Sequence, residues 1–99
     1  MPNRESWEEL RQRRMGEPGA QEAYDAARLA FELGAAVREL RLAQGWSQAE
    51  LAAAAGMTQS AVARFEAGGT VPTLQVLARI ARALDADLTV RVAPRPHVA

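Results

Sequence analysis

The chain has 99 residues, room for one small domain with short extensions and a core that is marginal on its own. Its hydrophobic fraction of 48% comes mainly from Ala, Leu and Val, with 5% aromatic residues, a mix that favours helices. Twelve basic residues, all arginine, balance twelve acidic ones, so any nucleic-acid contact needs a local patch; with no cysteine, disulfides and thiolate metal sites are excluded, which fits a reducing compartment.

No run approaches the ~18 consecutive apolar residues of a membrane span, and "MPNRESWEEL" lacks the apolar stretch of a secretory leader, so a cytoplasmic protein is expected. Residues 1–19 are expected to be an N-terminal extension, in which "SWEELRQRRM" has the pattern of a short amphipathic helix. Ser6 and Glu9 have capping-box spacing there, and Trp7 and Leu10 share a face. "GEPGA" then punctuates the chain.

Residues 20–34 lead into the domain. Tyr24, Ala27, Phe31, Val37 and Leu40 recur at near-helical spacing, which predicts one long helix or two joined near Gly34, where glycine costs about 1 kcal/mol relative to alanine. Gly45 is placed to end that helix. "SQAE", Ser47 to Glu50, is a capping box opening the next helix, which stops at Gly56. Thr58 caps a further helix that ends at Gly68. Two short helices joined by so tight a turn make a helix-turn-helix.

Thr73 caps a fourth helix in the domain, with Leu74, Leu77, Ile80, Ala81 and Leu84 on one stripe. Beyond Asp85, Leu88, Val90 and Val92 alternate with polar residues, the period of a strand. A lone strand leaves its backbone groups unpaired, so the pattern predicts a two-fold homodimer in which two copies of this strand pair antiparallel through those three residues. Pro94 and Pro96 would stop the ladder.

On the helix from Thr58 to Ala67, Val62 and Phe65 share a core face with Met57 and Leu51. Gln59, Ser60, Ala63 and Arg64 lie opposite. Gln pairs with adenine, Arg with guanine, and Ser bonds either a base or a phosphate, so this edge suits the major groove. An ordinary solvated face would carry the same residue types. Gln48, in the first turn of its helix, lies where free N–H groups and the helix dipole favour a phosphate.

The stretch "LRLAQGWSQAELAAAAGMTQSAVARFEAGGTVPTLQVLARIARAL" resembles the phage-repressor, or XRE, family of helix-turn-helix domains. The resemblance implies a five-helix lambda-repressor-like domain over residues 35–85, so the fold expected is all-α, with the N-terminal helical extension before that domain and, in residues 86–99, the dimerising β-strand and tail after it. It makes Gln59, Ser60 and Arg64 base contacts, Gln48, Thr58 and Thr70 phosphate contacts, and Arg41 with Glu66 a structural salt bridge. The loop "AGGTVPT" lacks the charge common in the family, which leaves Arg38, Arg79 and the N-terminal arginines as candidate compensating charges.

The flanks resemble those of HigA-type antitoxins. That implies a palindromic double-stranded operator, a homodimer, autorepression and a RelE/HigB-like toxin partner, with Trp7, Leu10 and Phe31 as candidate toxin contacts. The alternatives are a stand-alone XRE regulator, and a Trp7 that packs only on its own domain. No catalytic or metal-binding constellation can be assembled around His97, the single histidine, so neither an enzyme nor a cofactor is expected, and no membrane partner either.

Overall fold

A computed structural model describes Glu9, Gly16 and residues 18–96. Four helices run through the latter span: α1 (Ala20–Ala43), α2 (Gln48–Ala55), α3 (Gln59–Glu66) and α4 (Leu74–Ala83). The three short helices begin as their sequences dictate. The Ser47 hydroxyl accepts from the Glu50 backbone N–H at 3.0 Å while the Glu50 carboxylate accepts from the Ser47 N–H at 2.9 Å, so the capping box is formed. Thr58 and Thr73 each accept from the N–H three residues on.

The core gathers Val37 from α1, Leu51, Ala52 and Ala55 from α2, Val62 and Phe65 from α3, and Leu77, Ile80 and Leu84 from α4 and its end. Leu51, Val62, Phe65 and Ile80 are the largest fully buried side chains. Burying each contributes roughly 1.5–3 kcal/mol. Leu74, expected on the same stripe, is the first residue of α4 and is exposed.

Of the two readings left open for residues 20–44, the single helix is the one found. The buried stripe of α1 is Ala30, Gly34, Val37 and Arg41, spaced four, three and four apart. Gly34 is a contact point rather than an interruption. A Cβ there would overlap the Phe65 carbonyl oxygen and stand 3.0 Å from that of Glu66, so only glycine lets α1 cross the end of α3 this closely. At the far end, Gln44 Nε2 donates to the Leu84 carbonyl at 3.1 Å and ties α1 to the end of α4.

The expected five helices and C-terminal β-strand are both overturned: among the described residues the architecture is all-helical with four helices and no strand. α4 closes at Leu84. Asp85 turns left-handed at φ 54°, and the Ala86 N–H donates to the Ala81 carbonyl at 2.8 Å, a Schellman closure that sends the chain away from the helix axis. Residues 86–96 follow without regular secondary structure. The alternation of Leu88, Val90 and Val92 supplies the side-chain pattern of a strand, but a strand exists only through ladder bonds, and no described segment pairs with this one.

Candidate nucleic-acid interface

α2, the turn at Gly56–Met57 and α3 form the helix-turn-helix unit. Burial of Val62 and Phe65, at 0% and 1% exposure, fixes the rotation of α3 about its axis. The opposite edge is thereby turned outward, and Gln59, Ser60 and Arg64 are all exposed along it. Ala63, read from the sequence as part of that edge, is only half-buried and can admit a close surface without projecting into it. Thr58 is exposed and uses its oxygen as the cap acceptor, which leaves the hydroxyl proton to donate outward. Thr70 is exposed in the loop that follows α3.

Arg41 and Glu66 meet as a buried bidentate pair. Arg41 Nε donates to Glu66 Oε2 at 2.7 Å and Nη2 donates to Oε1 at 3.0 Å, with both residues 7% exposed. The Glu66 hydrogen bond outweighs desolvation and raises the guanidinium pKa, so Arg41 stays charged. Its Nη1 donates to the Trp46 carbonyl at 2.6 Å, next to the Ser47 cap. One guanidinium therefore clamps the end of α3 to the start of α2, the two elements whose mutual angle defines the helix-turn-helix unit.

The partner of Gln48 could not be read from sequence. Its Nε2 donates to Glu66 Oε1 at 3.3 Å, which connects the half-buried amide to the ion pair. The start of α2 is otherwise open: the capping box satisfies Ser47 and Glu50, while the Gln48 and Ala49 N–H groups have no carbonyl within their own helix. Of the two candidate compensating arginines in the domain, both are exposed, and the Arg79 guanidinium stands beside Gly56 in the turn between α2 and α3.

Phe31 is 64% exposed on α1, with its backbone against Gly68, and lines an apolar groove with Tyr24, Ala27 and Arg28. Trp7 and Leu10 lie outside the described residues, as does His97. Leu88, Val90 and Val92 are exposed to increasing degrees, reaching 98% at Val92. Among the described residues no three His, Cys, Asp or Glu side chains cluster to hold a metal ion, and no helix is long and apolar enough to cross a membrane.

A helix-turn-helix family model matches residues 37–90, just over half of the chain. Neither the curated proteins nor the solved structures contain a match.

Proposed function

The chain belongs to the XRE family of helix-turn-helix domains, DNA-binding transcription regulators that are typically non-enzymatic, and from that premise we propose that it is a HigA-type antitoxin that represses its own operon. In this reading Gln59, Ser60 and Arg64 contact bases in the major groove. Gln48, Thr58 and Thr70 contact phosphates. The observation that carries the DNA half is the outward edge of α3, held in place by Val62 and Phe65. It is tested by measuring the affinity of wild type and Arg64→Ala for the palindrome upstream of the gene against random DNA. A loss of about 1–3 kcal/mol with relaxed sequence preference is expected; unchanged preference would remove Arg64 from readout.

The antitoxin half draws on the outer part of α1. Residues 20–29 include none that is buried, and Phe31 and Leu29 stay exposed at 64% and 59%, an apolar surface on a long helix. Such a surface suits a protein partner. The partner proposed is a RelE/HigB-like toxin, with Phe31 joined by Trp7 and Leu10 from the extension. Co-purification with the neighbouring gene product, lost on Phe31→Ala, supports this reading. A neighbour that does not bind leaves a stand-alone regulator.

A palindrome calls for two copies, and Leu88, Val90 and Val92 are the apolar side chains proposed to hold them together by burial. Removing residues 88–99 should give a monomer in sedimentation and weaken operator binding. A dimer that survives the truncation would exclude these residues.

A further inference from the structure

The hydrogen bond between Gln48 and Glu66 joins the buried ion pair to the edge of the interface. Glu66 Oε1 accepts from two donors, Arg41 Nη2 at 3.0 Å and Gln48 Nε2 at 3.3 Å, while Oε2 takes Arg41 Nε at 2.7 Å. A carboxylate accepts and never donates, so it fixes which end of the Gln48 amide faces it: nitrogen toward Glu66, with the oxygen excluded by charge repulsion. A carboxamide nitrogen carries two N–H groups that diverge by about 120°. With one directed at Glu66, the other remains free to donate to a second anionic oxygen.

From this geometry we infer that Glu66 is a positioning residue for DNA: it holds the Gln48 amide nitrogen so that its second N–H meets a backbone phosphate beside the open N–H groups at the start of α2. The inference rests on the phosphate contact proposed for Gln48. What it adds is a route by which a side chain that never reaches DNA governs one that does. Arg41 is a necessary part, because without the guanidinium Glu66 would be a buried, unbalanced charge facing the phosphate. A half-buried glutamine on a surface helix would otherwise sample several rotamers and lose that freedom on binding; here the buried pair has already restricted it.

The test is a double-mutant cycle in the full chain, using as probe the DNA duplex that the wild-type protein enriches from a random-sequence pool. Affinity is measured for wild type, Gln48→Ala, Arg41→Met/Glu66→Leu and the triple variant. Gln48→Ala is expected to weaken binding roughly tenfold in wild type and less than about twofold where the ion pair is gone. Equal losses in both backgrounds would overturn the positioning role and leave the phosphate contact standing; no loss in wild type would overturn both. If the apolar pair does not fold, NMR of the wild type decides. Both Gln48 carboxamide protons should be protected in the complex and only one in the free protein, whereas a complex in which the bond to Glu66 is released, or in which the second proton stays unprotected, overturns the proposal.

Discussion

Gly34 of α1 lies directly against the backbone carbonyl of Phe65, the residue that anchors α3 in the core. A single hydrogen where a methyl would otherwise stand thus sets the distance between α1 and α3. The close approach also brings Arg41, two turns further along α1, within reach of Glu66.

Gly34→Ala opposes two effects of different size. Helix propensity favours alanine by about 1 kcal/mol, while the overlap with the Phe65 carbonyl forces α1 and α3 apart against a packed core. The second should win, with a net destabilisation of about 1–3 kcal/mol in urea denaturation. A variant as stable as wild type would mean that the crossing gives way easily.

Glu66→Ala leaves the Arg41 guanidinium buried without its carboxylate. A loss of about 3–5 kcal/mol is expected, enough to unfold much of a small domain, whereas Arg41→Met/Glu66→Leu should recover most of it. Chemical denaturation of the three proteins separates the cost of an orphaned charge from the worth of the pair.

Glu50 in the capping box accepts from the Ser47 N–H, and that bond lowers its pKa below the usual glutamate value. A lowered folded-state pKa means stability that is present above the unfolded-state value and lost as pH falls through the folded one. Glu50→Gln keeps an acceptor but does not titrate. The difference in Tm between wild type and this variant should therefore be largest near neutral pH and shrink on acidification; a constant difference would show that the charge plays no part.

Asp85 holds φ 54° at the end of α4, where α1 and α3 are followed by Gly45 and Gly68 at φ 73° and 82°. It also brings a negative charge to the C-terminal end of the helix, where the dipole disfavours one. Asp85→Gly should stabilise the domain by about 1 kcal/mol, read as a rise in Tm, since glycine takes this conformation without the Cβ penalty.

Much of the unit was legible before any coordinates. "SQAE", Thr58 and Thr73 announce helix starts because capping is a local exchange of hydrogen bonds within four residues. Val62 and Phe65 opposite Gln59, Ser60 and Arg64 follow from helical periodicity alone. The Arg41–Glu66 pair, 25 residues apart, came from the family resemblance rather than from any local signal. The capping box puts Gln48 in the first turn of its helix, but its bond to Glu66 depends on where two helices cross.

The strand expectation failed, and the spacing that predicts α1 as a helix does not tell which of its residues are buried. The buried stripe of α1 uses Ala30, Gly34 and Arg41, residue types that a search for large apolar side chains passes over, while Phe31 and Leu40, which fit the search, are exposed. Residues 88–92 alternate as a strand should, yet alternation describes only side chains. A strand needs backbone partners, and those are supplied by other parts of a fold.

By itself the sequence determined what is local: where helices start and stop, which face of α3 turns inward, and the order of elements that marks the family. The tertiary structure decided what depends on two segments meeting. It made Gly34 a crossing point, gave the Glu66 carboxylate both Arg41 and Gln48 as donors, and left the residues after Asp85 without a ladder. Capping and periodicity act over a few residues along the chain, whereas steric fit and the pairing of buried charge are set by distances in space.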